Sequence, residues 1–408
     1  MKEKILIMSD NPFLATGFRN QAVNLANTLS EAGYEVVYLG AQYIGQPIKC
    51  ATLADGRLLN FRIIPGSQRH QYVGPELQDV LYKEKPDVFI ILLDTFMVYP
   101  WFLNLNLPKS VFWYPSDGGF FPQNCENILK KVSHPVAMAK FGQEQLKLTY
   151  NVVTDYIPHG VSTKAFHPVS PELKNKLRQK YSQKFGVDLS NKFIVSCIGR
   201  NQGRKNMERV IRSFSMFAKG KSDVLLMMHM DPADQAAIQD LPYLSQRFGV
   251  NNKVLWTGMR AFNAFNDSEM PELYQISDLQ FSTTSGEGFG ICTVESMACG
   301  VPVLITDYTT TRELVTDHNA GLGIDLLGEN VYPYPAEQML EGTVVGSWNV
   351  DRGFCSLNDA VSKLDFFYAN PEERLRMGDN GRKAAVKYYD WDGVVAKAWL
   401  NKIQEMLR

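Results

Sequence analysis

The chain has 408 residues, which is enough for two domains with separate hydrophobic cores. Its 42 Lys and Arg residues balance 43 Asp and Glu residues, and a net charge of −1 gives no reason to expect nucleic acid as a partner. No apolar run approaches the ~20 residues of a membrane span, and the run after Met1 is too short for a signal peptide. The six scattered cysteines predict reduced, buried thiols rather than disulfides. Together these features predict a cytoplasmic protein with no transmembrane segment.

Short β-branched runs alternate with longer amphipathic segments along the chain, which is typical of parallel strands joined by helices. A helix is expected over Phe18–Ala32, ending at Gly33. The strands expected in the first half are Ile5–Ser9, Glu35–Leu39, Val88–Leu93, Val111–Tyr114 and Val136–Met138. These elements predict one Rossmann-like unit.

A polar stretch from Thr163 to Lys192 separates this unit from a second unit of the same type. The strands expected in the second unit are Phe193–Gly199, Val224–Met230, Val254–Thr257, Leu279–Ser282 and Val303–Thr306, followed by consecutive helices from Pro371 to Arg408. The predicted fold is therefore α/β, with two Rossmann-like domains that face each other across a cleft. In open parallel sheets, ligands bind at the carboxyl ends of the strands.

The segment Ser285–Pro302 follows a predicted strand, turns on three glycines and continues with a helical pattern. Backbone N–H groups at such a helix start favour a phosphate. Glu287 lies in the turn and Glu295 lies eight residues later, about two turns into the helix. Both carboxylates can then accept paired hydrogen bonds from the vicinal hydroxyls of a sugar. A glycine-rich connection with two solvated glutamates is the alternative.

A second segment, Gly199–Asn206, leaves the first strand of the second domain and carries cations on the loop before a helix. Arg200 can fork onto two oxygens and Lys205 supplies a compact charge, a combination that suits a diphosphate. Taken alone, the segment is more typical of a solvated basic turn. Its occurrence in one domain with the glutamate-containing turn favours the ligand site.

In this order and separation, the two segments resemble the donor site of the GT-B retaining glycosyltransferases of family 4 (group 1). That family carries a Gly-Arg…Lys segment and a Glu-x7-Glu motif. The resemblance implies that Arg200 and Lys205 hold the diphosphate of a nucleotide-sugar donor, and that Glu295 holds its ribose hydroxyls.

The resemblance also gives a role to the glycine-rich turn around Glu287, and it covers nearly the whole second domain. It implies that Glu287, with the backbone of Gly288, Phe289 and Gly290, holds the transferred sugar and phosphate. Further matching segments are Leu273-Tyr274, Asp278, Gly300–Val303, Glu313–Val315 and Tyr389–Val394. The last of these resembles the helix that crosses back to the first domain in the family.

The first domain matches less closely, as expected if it binds a variable acceptor. Gly17 opens the first predicted helix, where a glycine in the family lets the backbone approach the donor phosphates; a simple loop-to-helix turn is the alternative. Many members have a His after the Val111–Tyr114 strand, but this chain has Asp117 followed by two glycines. Asp117 is either a catalytic substitute or a turn residue. His159, where the family often has Asn, is expected to have an interdomain structural role.

Aromatic residues crowd residues 96–121, around Asp117. Most suit a core, yet those in loops could present a stacking surface to an acceptor, either a saccharide or an apolar aglycone.

No metal site or cofactor is predicted. Asp390-Trp391-Asp392 has the Asp-x-Asp spacing that holds a metal in the other major glycosyltransferase fold, but here it opens a helix, where Asp suits a cap. No His or Cys cluster has metal-ligand spacing.

The sequence thus predicts a retaining, metal-independent hexosyltransferase. Its expected parts are an acceptor domain over 1–165, a donor domain over 190–385 and a helix over 386–408 that packs on the first domain. A nucleotide-sugar epimerase or hydrolase on the same fold, and a non-catalytic nucleotide-sugar sensor, are the alternatives.

Overall fold

The computed structural model describes residues 2–53, 55–67, 73–99, 101–122, 124–232, 239–258, 268–333 and 349–408. Within these ranges the chain separates into two compact units. The first comprises the described parts of Met1–His159, Val331–Asp351 and Asp392–Arg408, and the second those of Gly160–Asn330 and Arg352–Trp391.

In the first unit, helices connect the strands of a parallel sheet. Its strands are β1 (Lys4–Asp10), β2 (Glu35–Ala41), β3 (Ala51–Thr52), β4 (Leu58–Leu59), β5 (Arg62–Pro65), β6 (Val88–Ile91), β7 (Lys109–Tyr114), β8 (His134–Ala137) and β9 (Asp155–Tyr156). Its helices include α1 (Gly17–Glu31), α2 (Leu77–Glu84), α3 (Glu126–Lys131) and α4 (Lys140–Tyr150). The sheet order is β5-β2-β1-β6-β7-β8-β9, while β3 and β4 form a separate antiparallel pair.

Apolar runs and helix-capping residues in the sequence account for the positions of these strands and helices. Residues 5–8 of β1 are completely buried, as expected for a central strand that helices cover on both faces. Helix α1 begins after Thr16, whose hydroxyl accepts a hydrogen bond from the Arg19 N–H at 3.1 Å. It ends before Gly33, whose φ of 99° is natural only for glycine. The predicted strands and the predicted first helix are confirmed.

The second unit repeats this architecture. Its sheet strands are β10 (Phe193–Ile198), β11 (Val224–His229), β12 (Val254–Trp256), β13 (Leu279–Ser282), β14 (Val303–Thr306) and β15 (Gly321–Ile324). Its α-helices are α5 (Pro171–Phe185), α6 (Met207–Phe217), α7 (Leu241–Arg247), α8 (Met270–Ile276), α9 (Ile291–Ala298), α10 (Leu357–Ala369) and α11 (Pro371–Tyr388). The order β12-β11-β10-β13-β14-β15, in which all neighbouring strands pair in parallel, confirms a Rossmann-like unit.

A further pair of strands, β16 (Leu326–Pro333) and β17 (Asn349–Cys355), forms a small sheet. Strand β17 crosses from the first unit to the second between Asp351 and Arg352. Val350 is buried in the core of the first unit together with Phe112 and Tyr114. This grouping differs from the predicted 190–385 limits, because Val331–Asp351 groups with the first unit.

The chain finishes with a π-helical turn at Trp391–Val395 and helix α12 (Ala396–Leu407), which packs on the first unit. Trp399 of α12 is fully buried and meets the Trp113 ring edge-on, with 4.9 Å between ring centroids. The Lys402 ammonium pairs with the Asp155 carboxylate at 2.7 Å. Among the described residues, no helix combines the length and the apolar character needed to cross a bilayer.

In each sheet the connections run in opposite directions from one central strand. In the second unit β10 has β11 on one side and β13 on the other, so the loops after β10 and β13 meet at the point where the strand order reverses. Such a point is where open α/β sheets bind ligands. It is also where both charged segments of this sequence lie.

Candidate active site

The loops after β10 and β13 are neighbours because these two strands pair directly, with Val195 opposite Leu279. The main chain fixes one loop to the other: the Arg204 carbonyl accepts from the Ser285 N–H at 2.7 Å and from the Ser285 hydroxyl at 2.9 Å. The Thr283 hydroxyl donates to the Asn206 carbonyl at 2.8 Å. The two segments therefore form one structure at the carboxyl edge of the sheet.

Glu287 is the centre of this structure. Its side chain accepts from the Arg204 guanidinium at 3.1 Å and also pairs with the Lys205 ammonium. The Glu287 N–H donates to the Thr309 hydroxyl at 3.0 Å, and the Arg204 guanidinium donates to the Gly286 carbonyl at 2.9 Å. Side chain and backbone of Glu287 are thus both fixed.

The charges around Glu287 decide its protonation. Glu287 is only 7% exposed, and burial by itself would raise the pKa of its carboxyl. Lys205 and Arg204 outweigh burial and lower that pKa to about 2. Two cations and one carboxylate leave the cluster with one excess positive charge, which suits an anionic ligand.

Helix α9 begins directly after this turn. Gly290 precedes its first residue with a φ of 92°, a left-handed conformation that side chains avoid. Gly288 and Phe289 are buried, and the Phe289 ring meets the Tyr389 ring edge-on at 5.9 Å between centroids. The unpaired N–H groups of the first turn of a helix attract phosphate and add to the positive charge of the cluster.

Glu295 lies on α9 and is half-buried. Because the helix begins at Ile291, Glu295 is about one turn into it rather than the two turns expected from the sequence. The Tyr274 hydroxyl donates to the Glu295 carboxylate at 2.6 Å, which fixes its direction. Burial first, and the neighbouring Glu295 charge second, raise the pKa of the Cys292 thiol to about 12, so this thiol is not a nucleophile.

The remaining cation of the loop is placed differently. Arg200 lies at the loop's beginning, directly after β10 and Gly199, with its side chain exposed. The sequence motifs predict Arg200 and Lys205 as site residues but not Arg204, the arginine that contacts Glu287. They do not predict the hydroxyl groups of Tyr274 and Thr309 either. The sequence does contain Arg204 beside Lys205, but spacing alone does not say which arginine turns toward the glutamate.

In the first unit, two predicted site residues lie after strands β1 and β7, one at the start of a helix and one in a loop. Gly17 is the first residue of α1, and the preceding Thr16 hydroxyl donates to the Asp10 carboxylate at 2.5 Å. Asp117 is half-buried in the loop after β7. The next two residues of this loop are fixed by β17, since the Gly119 N–H donates to the Asp351 carbonyl at 3.1 Å and the Asp351 N–H to the Gly119 carbonyl at 2.9 Å.

His159 ends the first unit and is buried beside Trp113, with 4.5 Å between the ring centroids. Burial lowers the pKa of its imidazole to about 3, which keeps it neutral. Asp390 accepts hydrogen bonds from the Thr163 hydroxyl at 2.6 Å and from the Thr163 N–H at 3.2 Å. Within the described ranges, no group of three or more His, Cys, Asp and Glu side chains could hold a metal ion.

Residues 178–325 match the family model of the glycosyl transferases group 1. The relatives include mannosylfructose-phosphate synthase of Agrobacterium fabrum, which is 28% identical over 37% of this chain and 32% of its own length. The lipopolysaccharide core biosynthesis mannosyltransferase LpsB of Rhizobium meliloti is 26% identical over 44% of this chain and 48% of its own length. These alignments therefore span half or less of the curated relatives.

Solved structures extend the likeness to the whole fold. Sucrose-phosphate synthase from Thermosynechococcus elongatus superimposes with a TM-score of 0.74 at 15% identity, over 99% of both chains. Anabaena HepE in complex with UDP-glucose superimposes with a TM-score of 0.70 at 15% identity, over 98% of this chain and 99% of its own. Residues 178–325 thus resemble the group 1 glycosyltransferases, and the superpositions show that both units have the GT-B fold.

Proposed function

We propose that this chain is a glycosyltransferase that takes a sugar from a nucleotide-diphosphate donor and joins it to an acceptor hydroxyl. The observation that carries the proposal is the cluster of Glu287, Arg204 and Lys205 at the start of α9. It places a fixed carboxylate and two cations beside the start of a helix, where the carboxylate suits sugar hydroxyls and the cations suit phosphate oxygens.

The cations act on the diphosphate. In transfer, the bond between the anomeric carbon and the donor phosphate oxygen breaks, and the acceptor oxygen forms a new bond to that carbon. The acceptor proton leaves, and negative charge develops on the departing diphosphate. Lys205 can exchange its contact with Glu287 for a phosphate oxygen, while Arg200 reaches the same ligand from the loop's beginning. Fixed positive charge at a leaving group lowers the barrier because it needs no reorganisation during the reaction.

The carboxylates act on hydroxyls. Glu287, kept ionised by its cations, accepts hydrogen bonds from the transferred sugar. Glu295 lies further along the helix and accepts from the ribose, with Tyr274 holding the carboxylate in place. Charged acceptors form the stronger class of hydrogen bonds, so both contacts contribute to donor recognition.

The first unit supplies the acceptor side of the proposal. By the family resemblance, we assign Asp117 to the place of the His found in many family members, and Gly17 to the backbone that approaches the donor phosphates. Asp117 can accept the proton of the acceptor hydroxyl or orient that hydroxyl.

Two further parts of the proposal concern stereochemistry and metal. Transfer proceeds with retention of the anomeric configuration, as the family resemblance implies. It needs no divalent ion or other cofactor, because Arg200, Lys205 and the start of α9 supply the positive field. The relatives include a sugar-phosphate synthase and a mannosyltransferase, and the HepE structure contains UDP-glucose. Both observations support a nucleotide sugar as donor.

The first test is thermal unfolding with a panel of UDP, GDP and ADP and of their glucose and mannose derivatives. A donor at 100 times its Kd should stabilise the fold by roughly 2.7 kcal/mol. The stabilising donor is then incubated with candidate acceptors in excess chelator, and the anomer of the product is assigned by proton NMR.

The outcomes separate the alternatives. Donor consumption without transfer would favour a hydrolase or epimerase, and binding without turnover would favour a sensor. Transfer that stops in chelator and returns with magnesium would contradict metal independence. If no nucleotide or nucleotide sugar in the panel stabilises the protein, the donor assignment is wrong.

A further inference from the structure

The loop after β7 presents one aromatic ring to solvent. Phe112, Trp113, Tyr114 and Phe121 are all at most 1% exposed, whereas the side chain of Phe120 is 61% exposed. The backbone of Phe120 is also unusual, with a φ of 54°. This is the left-handed region, which bulky side chains avoid because Cβ crowds the following carbonyl.

The residues before Phe120 are held by strand β17, so they cannot move to relieve the left-handed backbone of Phe120. Gly119 exchanges two backbone hydrogen bonds with Asp351, and Val350 is buried in the adjoining core. A Cβ on Gly118 would lie 2.2 Å from Cγ1 of Val350 and 2.4 Å from the Asp351 carbonyl oxygen. Strand β17 therefore holds the loop on one side.

The residues after Phe120 are held equally firmly. Phe121 is buried, and its ring meets the Tyr114 ring edge-on at 5.7 Å between centroids. The Tyr150 hydroxyl donates to the Phe121 carbonyl at 3.0 Å, and the Phe120 N–H donates to the Gln145 side-chain carbonyl at 3.3 Å. The backbone of Phe120 is thus held by contacts on both sides, while its side chain is exposed to solvent.

Neither stability nor solubility accounts for a phenylalanine here. A glycine or asparagine would adopt this backbone conformation more readily, and a polar side chain would suit the exposure. Strained residues persist where function uses the conformation. An exposed ring on a held backbone, three residues after the candidate catalytic Asp117, offers a flat apolar surface to a ligand.

We propose that Phe120 is the stacking platform for a pyranose acceptor. This inference rests on the proposed glycosyl transfer and deepens it, because it assigns a chemical class to the acceptor. A pyranose presents C–H groups on one face and hydroxyls around its rim. A flat aromatic ring removes the C–H face from water while the rim stays free to form hydrogen bonds. The ring orients the acceptor, and Asp117 contacts one of its hydroxyls.

The experiment is saturation-transfer NMR on the whole protein with a panel of methyl pyranosides of glucose, mannose, galactose and N-acetylglucosamine. Octyl β-glucoside is included to separate sugar contact from alkyl contact. The variants are Phe120→Gly, which removes the ring and suits the backbone, and Phe120→Tyr, which keeps the ring. Thermal unfolding with the donor nucleotide panel is measured on the same samples.

Two matched controls test the two unusual properties of Phe120 separately. Tyr82→Ala removes another exposed ring, 78% exposed, from the first unit. Lys85→Gly relieves another left-handed residue, with a φ of 48°, at the end of α2. Both residues lie outside the Asp117 loop, and neither change should alter pyranoside binding.

We expect saturation of at least one pyranoside ring by the parent protein, a fall in its affinity of five-fold or more in Phe120→Gly, and parent-like binding in Phe120→Tyr. Phe120→Gly should unfold at the same temperature as the parent or higher, which excludes misfolding. Unchanged binding in Phe120→Gly, no saturation of any pyranoside ring, or saturation limited to the octyl chain would each overturn the inference. Nucleotide stabilisation reports on the proposed function independently of these results.

Discussion

Glu287 and Asp117 are both carboxylates that follow a sheet strand, but the molecule holds them by different means. Glu287 is buried in an ion-paired cluster whose members all come from the second unit. Asp117 is half-buried in a loop of the first unit that backbone pairing with Asp351 and close packing against Val350 hold in place. One position is defined by charge and the other by main-chain shape.

This difference predicts how each site responds to change. A substitution at Glu287 alters the balance of neighbouring charges, so both structure and chemistry should suffer. A substitution at Asp117 leaves its supports intact, so chemistry alone should suffer. The same comparison applies to the residues that surround each carboxylate.

The largest effect is expected for Glu287→Ala. Turnover should fall by about 100-fold or more, since a fixed partner of the transferred sugar is lost. Because Arg204 and Lys205 then repel each other, the free energy of unfolding should also fall by about 1–3 kcal/mol. Nucleoside diphosphate should bind as well as before or better, because both cations become available to it.

Kinetics, chemical denaturation and calorimetric titration measure the three consequences of Glu287→Ala. Glu373→Ala removes an exposed, ion-paired glutamate from α11 and serves as the control. Parent-like turnover in Glu287→Ala would remove this residue from the site.

Glu295→Ala should raise the Kd of the nucleoside diphosphate by about ten- to 150-fold, or 1.5–3 kcal/mol, because a charged acceptor of the ribose hydroxyls is lost. Turnover at saturating donor should change little, since ribose contacts are similar before and during the reaction. Tyr274→Phe, which only frees the carboxylate from its hydrogen bond, should raise Kd about five-fold. Tight binding by Glu295→Ala would assign this residue to the helix surface instead.

Asp117→Ala should lower turnover about ten-fold or more, with donor affinity and unfolding temperature unchanged. Asp117→Asn separates two roles, because an amide can still orient a hydroxyl but cannot accept its proton. Steady-state kinetics and thermal unfolding measure both variants. If Asp117→Ala turns over like the parent, Asp117 is only a turn residue.

Gly118→Ala tests the support rather than the carboxylate. Its Cβ would overlap Val350 and the Asp351 carbonyl, so the loop or β17 must move, at a cost of about 1 kcal/mol or more. Gly328→Ala adds a Cβ with no atom of the described residues within 4 Å and is the matched control. Hydrogen exchange should accelerate at Gly119 and Asp351 in Gly118→Ala alone, and unchanged exchange would show that the loop has another support.

The smallest effect concerns pH. Burial lowers the pKa of His159 to about 3, below the ordinary value of 6.5, so between these pH values the unfolded chain binds a proton at His159 and the folded chain does not. The contribution of neutral His159 to the free energy of unfolding is complete above pH 6.5 and is lost as pH falls toward 3. The loss is about 0.7 kcal/mol between pH 7 and 6. Glu287, with a pKa of about 2, stays ionised over that interval. His159→Asn should flatten the slope, and an unchanged slope would contradict the buried neutral imidazole.

Most of the fold could be predicted because the central strands are continuous apolar runs. The observed bounds of β13 and β14 match the prediction, and β10 differs only at its end. The edge strands β5 and β15 were not predicted, since β5 ends in proline and β15 contains two glycines. Such residues interrupt the apolar pattern that marks a strand.

The candidate site was predictable only as far as local motifs reach. The order of the local motifs along the chain predicts a donor site that contains Glu287, Lys205 and Glu295. Arg204 contacts Glu287 because of the geometry of its turn, which residue spacing in the sequence does not predict. The support of Asp117 by Val350 and Asp351 joins distant parts of the sequence, and no local pattern predicts such a pairing.

Trp399 is synthesised near the end of translation, and this order affects the folding of the first unit. A ribosome completes every strand of the seven-stranded sheet by residue 156, yet the tryptophan that covers Trp113 emerges only with α12. At about 5–20 residues per second, the wait is roughly 10–50 s. During that time the nascent first unit exposes an aromatic face that chaperones or other nascent chains can bind. Expression of residues 1–165 alone would make the exposure permanent, and we expect such a fragment to aggregate.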